Sequence, residues 1–361
     1  MKVAVLGGGS GGAASAVELT LAGHDVCLWS RAAETLEPFR AAGGIAYDGV
    51  LGSGKVAARM TNDVTTAMEG ADAAVVVLPT YAHGTVARAL AAAGWSSNKP
   101  VILNPGHTGG ALEFTTAYER TDATVPPVAA FSTLTYVARK YSPECVTISG
   151  RAKAVRMAAL PGGEAAMTIG AALFPAAQPV GDVLAADLAN VNMVLHPPGA
   201  ILAAAWVEAR DGDFTFYVDA MTPGVARVMR QLDDERRAVA RAFGHDLPNL
   251  IAEMQHIGTV EANVTDTDDF AAAIAAGEAN RRIKGPNSLD HRYYREDFGH
   301  GLLPFLELAA IAAVATPTAQ SLFTLGAALS GNDYRVGGRT AEAMGIAGLN
   351  KEQLLQRVRH Q

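Results

Sequence analysis

A glycine turn held between a strand and a helix constrains this chain more than any other feature. Met1 to Leu6 (MKVAVL) is a short apolar run of the kind that forms a buried parallel strand. Gly7-Gly8-Gly9-Ser10-Gly11-Gly12 follows, then the helix-forming Ala13 to Leu19, and a second strand is expected at Asp25 to Trp29. Gly7, Gly9 and Gly12 thus stand at G-x-G-x-x-G spacing inside a βαβ unit. The first glycine makes the tight turn, the second lets backbone approach a pyrophosphate, and the third lets the helix pack closely. The free N–H groups and positive dipole end of the helix then face the phosphates. The expected dinucleotide cradle is Gly7, Gly9, Ser10, Gly11 and Gly12. The flanking strand and helix separate it from a glycine-rich turn with no ligand.

The end of the second strand refines the cofactor. NAD sites usually carry Asp or Glu there for the ribose hydroxyls, whereas this chain has Trp29-Ser30-Arg31. A carboxylate would repel a 2′-phosphate; a hydroxyl and a guanidinium bind one. Ser30 and Arg31 therefore predict NADP(H) in preference to NAD(H), with NAD(H) still possible. The alternative is that Arg31 is a solvated helix-start residue and the preference is loose.

A chain of 361 residues suggests two domains, and 49% hydrophobic residues allow each a core. A net charge of −7 with no lysine or arginine cluster argues against nucleic acid. Two cysteines and an N-terminus with no signal pattern point to the cytoplasm. The longest apolar stretch, Leu302 to Val314, is broken by Pro304 and Glu307, which argues against a membrane span.

Strands expected at Ala57 to Thr61, Ala73 to Leu78, Val101 to Asn104 and Val128 to Ser132 alternate with helices such as Ala82 to Ala93 and Gly110 to Tyr118. Gly43 to Gly54 reads as a hairpin or loop, and Cys145 to Ile148 and Ala154 to Ala159 as added antiparallel strands. The pattern is a doubly wound α/β sheet closed by a helix at Glu164 to Leu173. From about Gly181 almost only helical periodicity remains. Thr222-Pro223 and Thr316-Pro317 are helix starts. The expected architecture is a Rossmann-type domain over 1–181 followed by an all-helical domain over 182–361. The apolar helical half allows a homodimer, although an apolar stripe is more often core.

Ligands of open α/β sheets bind at the carboxyl ends of the strands. That rule selects the glycine turn, Ser30-Arg31, Pro79, Pro105 and Ser132-Thr133, with the two prolines as lining of the cofactor cleft. In the helical half, Asn192 and His196 fall four residues apart on one face. Pro197-Pro198 then places His196 at or near a helix end, where the pair either projects into a cleft or merely caps the helix. A second run, Lys284 to Asp297, offers Arg292 as a carboxylate clamp and Asp297 as an orienting partner for a histidine. Taken alone it also reads as a solvated loop.

Taken together these segments resemble the opine dehydrogenases, of the octopine and carboxyethyl-norvaline dehydrogenase kind. The resemblance rests on the glycine turn, ILNPGHTGGALEF (Ile102 to Phe114), NVNMVLHPP (Asn190 to Pro198), GPNSLDHRYYREDFGHGLLP (Gly285 to Pro304) and GRTAEAMGIAGL (Gly338 to Leu349). It implies small-molecule substrates: an amino acid whose amine condenses with an α-keto acid, usually pyruvate, before NAD(P)H reduces the imine. It further implies His196 as acid/base, Asp297 as its partner and Arg292 on a substrate carboxylate. Asn192 is expected to face the substrate. Phe131 to Tyr136, with Thr133, departs from the family pattern and is expected to border it. Arg139 matches an arginine in some relatives or is a surface residue, and Trp206 and Tyr217 are expected to shape a side-chain pocket. Two other readings stay open. One is a glycerol-3-phosphate or ketopantoate type reductase, which needs a lysine; the helical half offers only Lys284 and Lys351. The other is a protein that senses NADP(H) without turning it over.

Overall fold

The computed structural model describes residues 1–278 and 280–359, which fall into two compact units. The first comprises Met1–Gly106 and Gly110–Val183; the second comprises His107–Gly109 and the chain from Leu184 onward. His107–Gly109, expected with the sheet, therefore belongs to the helical unit. Thr108 anchors it there: its Oγ1 donates to Asp187 O (3.1 Å), and its carbonyl accepts from Arg339 (2.6 Å).

Twelve strands build the first unit: β1 (Lys2–Leu6), β2 (Asp25–Trp29), β3 (Ile45–Gly49), β4 (Gly54–Val56), β5 (Arg59–Thr61), β6 (Ala73–Val76), β7 (Val101–Leu103), β8 (Val128–Phe131), β9 (Tyr136–Ser142), β10 (Cys145–Arg151), β11 (Val155–Ala159) and β12 (Ala177–Pro179). The main sheet runs β12-β11-β8-β7-β6-β1-β2-β5. It is parallel apart from the antiparallel β8–β11 pair. Apart from Lys2 at the start of β1, the central strands are buried because helices cover both faces, which is why they read as unbroken apolar runs.

The added strands divide differently from expectation. β11 extends the main sheet antiparallel to β8, as expected of Ala154 to Ala159. β10, around Cys145 to Ile148, instead lies in a second sheet of order β4-β3-β10-β9, parallel to β3 and antiparallel to β9. The Gly43 to Gly54 segment opens a hairpin of β3 with β4 in that sheet, and of the strand expected at Ala57 to Thr61 only Arg59–Thr61 forms, as β5 on the edge of the main sheet. The small sheet packs Ala138, Val146 and Ile148 into the core shared with Ala13, Ala16 and Val17 of the Ser10–Leu21 helix. Glu18 of that helix also accepts from Tyr136 Oη and pairs with Arg151 (2.6 Å).

The second unit is helical. Pro223–Ala242, its longest helix, starts as expected at Thr222, whose Oγ1 accepts from Val225 N. It buries Val225, Met229, Leu232 and Val239 on one stripe. Arg236 on the same helix is fully buried yet satisfied, by Asp233 (2.9 Å), Leu188 O (2.8 Å) and Pro248 O (2.7 Å). Among the described residues no helix is long and apolar enough to cross a membrane.

One helix departs from expectation. Pro197 and Pro198 do not end it; they lie inside Asn192–Leu202, so His196 is mid-helix. An interior proline costs about 3 kcal/mol. Here Met193, Val194, Leu195 and Ile201 are all buried, and each such side chain contributes about 1.5–3 kcal/mol. Packing offsets the lost hydrogen bonds, and the helix continues.

Candidate active site

His196 Nδ1 lies 2.7 Å from Asp297 Oδ2, and its Nε2 lies 2.8 Å from Tyr217 Oη. The histidine and aspartate side chains are only 4% and 3% exposed. A carboxylate can only accept, so Asp297 fixes the proton on Nδ1 and leaves Nε2 to accept from the phenol or, as imidazolium, to donate. Tyr293 stacks on the imidazole, with ring centroids 3.9 Å apart and planes 21° from parallel. Phe216 packs nearby, its centroid 6.1 Å from that of His196.

Two helices bring the histidine and the aspartate together. His196 projects from the Asn192–Leu202 helix. Asp297 is the last residue of the Arg292–Asp297 helix, which runs directly into one π-helical turn, Phe298–Leu302, and then into Leu303–Ala312. Single π turns inside helices are frequent at functional positions, where the extra residue re-aims side chains. Tyr294 Oη donates to Ala200 O (2.8 Å), pinning the two helices together. The Lys284 to Asp297 run is thus not merely a solvated loop.

Asn192, one turn before His196, contacts His107 Nε2 through Nδ2 at 3.2 Å. Burial pushes the His107 imidazole down to about 4, against the weaker opposing pull of Glu296 and Asp297, so it is neutral at neutral pH. Arg292 Nε lies 3.7 Å from the buried Glu296 carboxylate, while its own side chain is 53% exposed.

The glycine turn has the geometry its spacing implied. Gly7 takes φ +139° and donates to Trp29 O at 2.8 Å. A Cβ at Gly12 would lie 1.7 Å from the Gly7 carbonyl oxygen, so only glycine lets the helix start against the turn. A Cβ at Gly9 would meet nothing within 4 Å, so the turn opens onto space there. The first helical bond is Ala13 N to Gly9 O, which leaves the N–H groups of Ser10, Gly11 and Gly12 at the helix start. Bare backbone, open space and a dipole end fit a dinucleotide pyrophosphate. Ser30 packs against this turn, its Cβ 2.9 Å from where a Gly8 Cβ would stand, with Thr35 on the same spot. Arg31 follows, exposed. Pro79 and Pro105 stand just beyond the carboxyl ends of β6 and β7, and Thr133 is buried beyond β8.

Several residues beside these groups escape sequence reasoning. Tyr217 reads there as pocket wall, not as the partner of His196. Tyr293 stands within the Arg–Asp segment and His107 within the strand-end motif, but neither carries a role in the sequence pattern. Lys140 carries no signal: it sits on β9, outside the βαβ unit, with Nζ 3.4 Å from Gly8 O and 5.1 Å from the Phe39 ring centroid. Arg139, beside it, bonds its own neighbour Ala138 O (2.9 Å), and Trp206 packs edge-on to Phe214.

Known proteins share this fold. A family model for the NAD/NADP octopine/nopaline dehydrogenase alpha-helical domain matches residues 179–330. One for the NAD-dependent glycerol-3-phosphate dehydrogenase N-terminus matches residues 2–116. The chain is 33% identical to the opine dehydrogenase of Arthrobacter sp. (strain 1C) over 350 residues, 96% of this chain and 95% of that protein. Octopine dehydrogenase, solved with NADH and L-arginine, has the same fold: TM-score 0.78 at 20% identity, covering 100% of this chain and 99% of that one. Yersinopine dehydrogenase with NADP+ bound gives 0.77 at 16% identity, covering 98% of each chain. Matched at 33% identity over 96% of its length, the chain belongs to the opine dehydrogenase family and is an NAD(P)-dependent oxidoreductase acting on the CH–NH group of its donors.

Proposed function

We propose that this enzyme condenses the amine of an amino acid with the carbonyl of an α-keto acid, pyruvate being the expected one. The imine is reduced to an N-(carboxyalkyl) amino acid, and the reverse oxidation follows the same path. The observation that carries the roles is the buried His196–Asp297 pair, 2.7 Å between Nδ1 and Oδ2. Loss of water from the carbinolamine needs a proton donor, and the imine accepts hydride best when protonated. Imidazole is the side chain whose ordinary titration range spans neutrality. Asp297 holds its tautomer and stabilises the cation that forms. Arg292, half exposed beside Glu296, holds a substrate carboxylate, since both substrates carry one. Asn192 and Thr133 border the substrate.

Gly7, Gly9, Ser10, Gly11 and Gly12 hold the dinucleotide pyrophosphate, with Pro79 and Pro105 lining the cofactor cleft. Ser30 and Arg31 favour NADP(H) over NAD(H). When bound, the cofactor supplies the hydride that converts C=N to CH–NH.

The test is NADPH oxidation with pyruvate, scanned across the amino acids one at a time, beside a pyruvate-only control. Consumption that needs both amine and keto acid is the expected result and names the donor. Consumption with keto acid alone marks a ketone reductase and overturns the reading. Tight cofactor binding with no turnover for any pair points instead to a sensor.

A further inference from the structure

We propose that Tyr217 Oη, not His196 Nε2, is the atom that exchanges a proton with the substrate, as the outer end of an Asp297–His196–Tyr217 relay. The inference rests on His196 being the acid/base. Both imidazole nitrogens are already engaged, Nδ1 by Asp297 at 2.7 Å and Nε2 by Tyr217 at 2.8 Å. One ring face is covered by Tyr293. His196 therefore has no nitrogen to offer the substrate unless Tyr217 leaves.

Tyr217 is not built to leave. Its segment is strapped down on both sides: Gly285 N donates to Phe214 O and Phe216 N to Ile283 O, each at 2.8 Å. Thr215 N and Oγ1 both donate to Asp219 Oδ2 at 2.7 Å, closing the turn under the tyrosine. The phenol ring stands edge-on to Phe216, centroids 5.1 Å apart and planes at 82°. Beyond it, Val218 is 41% exposed, so the segment reaches the surface within one residue. The hydrogen-bonded order is carboxylate, imidazole, phenol.

The chemistry balances with no added reactant. In dehydration of the carbinolamine, Tyr217 Oη gives its proton to the departing hydroxyl as it takes the Nε2 proton of the His196 imidazolium. The C–O bond breaks with its electron pair on oxygen, water leaves, and the nitrogen lone pair closes C=N. Nothing is oxidised or reduced in this step. A phenol holds a phenolate poorly at neutral pH, so the two transfers run together. Asp297 stays ionised and ends beside neutral histidine.

Tyr217→Phe keeps the ring and its packing and removes only the hydroxyl. Expected are a fall in kcat of about 10²-fold, the lower range for a positioned acid, Michaelis constants within about twofold, and unchanged NADPH binding by fluorescence titration. In mixtures of H₂O and D₂O, the wild-type rate should bow with deuterium fraction, two protons being in flight, and the variant should respond linearly. His196→Ala, assayed alongside, separates the failures. A full-rate His196→Ala enzyme overturns the acid/base reading and the relay with it. An inactive His196→Ala beside a full-rate Tyr217→Phe overturns the relay alone. A slow Tyr217→Phe whose deuterium response still bows makes the tyrosine structural and also overturns it.

Discussion

Asp297 Oδ2 meets His196 Nδ1 at 2.7 Å across 101 residues of chain, with both groups almost wholly removed from water. A carboxylate buried to this degree is costly unless it is paired and hydrogen-bonded. The pairing here depends on two irregularities in otherwise regular helices. Two interior prolines sit directly after the histidine, and a π turn begins directly after the aspartate. Irregular helix at both ends of one hydrogen bond is expected where side-chain aim has been favoured over backbone regularity.

Asp297→Asn is the direct test of that bond. The amide keeps the volume but loses the charge that stabilises imidazolium, and it can present N–H where Nδ1–H needs an acceptor. We expect kcat to fall by about 10²–10⁴-fold. NADPH affinity, read by fluorescence titration, should stay near wild type. A variant within a few-fold of the wild-type rate would remove Asp297 from the mechanism.

The glycine turn and the alternation of strands and helices were legible because each rests on local rules: glycine spacing, apolar runs and helix starts. The Glu164–Leu173 helix and the Pro223 and Pro317 starts emerge with the bounds their residues implied. The four-stranded sheet was not legible as a sheet. β9 carries Arg139 and Lys140 in a half-buried strand, and β10 pairs in parallel with β3 about a hundred residues earlier, a pairing no local pattern encodes. The sequence puts His196 at a helix end because proline propensity is local, whereas the burial that overrides it is tertiary. Tyr217 is visible as an aromatic near the site, but its bond to Nε2 depends on a strap formed with Ile283 and Gly285, far along the chain.

Arg292→Ala should raise the Michaelis constant for one carboxylate substrate by about tenfold or more, with a smaller change in kcat, as expected when ground-state binding is lost. Arg292→Lys should recover part of the loss, since a point charge replaces the paired fork. Steady-state kinetics with each substrate varied in turn decides it, and unchanged constants for both would refute the clamp.

Arg31 and Lys140 make separable predictions about the cofactor. Arg31 follows Ser30 at the end of β2, so Arg31→Ala should narrow or reverse the preference for NADPH over NADH. Lys140 touches the turn itself at Gly8 O, so Lys140→Ala should weaken both cofactors by similar factors. Dissociation constants for the two cofactors against each variant are the measurement. An unchanged ratio in Arg31→Ala would show that another residue reads the phosphate.

Gly9 and Gly12 share a motif but should fail differently when replaced by alanine. At Gly12 the new methyl would lie 1.7 Å from a backbone oxygen, so Gly12→Ala should lower Tm or prevent folding. At Gly9 the backbone is already extended, φ −72° and ψ −174°, and the methyl meets no protein atom within 4 Å. Gly9→Ala should therefore keep its Tm and lose dinucleotide affinity, because the methyl enters the space kept for phosphate. A Gly9→Ala protein that binds NADPH normally would show that the pyrophosphate does not approach there.

Acid stability should carry the mark of His107. Burial lowers its imidazole from 6.5 to about 4 in the folded protein, while the unfolded chain titrates at the ordinary value. Above 6.5 neither state binds the proton and the group leaves stability unchanged. As pH falls from 6.5 toward 4, the unfolded state takes up a proton the folded state refuses, so stability is lost across that window. Below about 4 both states are protonated and the loss stops growing. Each tenfold difference in proton affinity between the two states is worth about 1.4 kcal/mol, so the full effect is a few kcal/mol. His300, held down to about 3 chiefly by burial, adds to the same acid limb. His107 has φ +54°, a conformation asparagine tolerates well, so His107→Asn keeps the backbone and removes one titration. Melting temperatures between pH 4 and 8 should fall less steeply on the acid side in this variant, with a residual slope from His300. Identical acid slopes in the two proteins would show that His107 takes up its proton without cost to the fold.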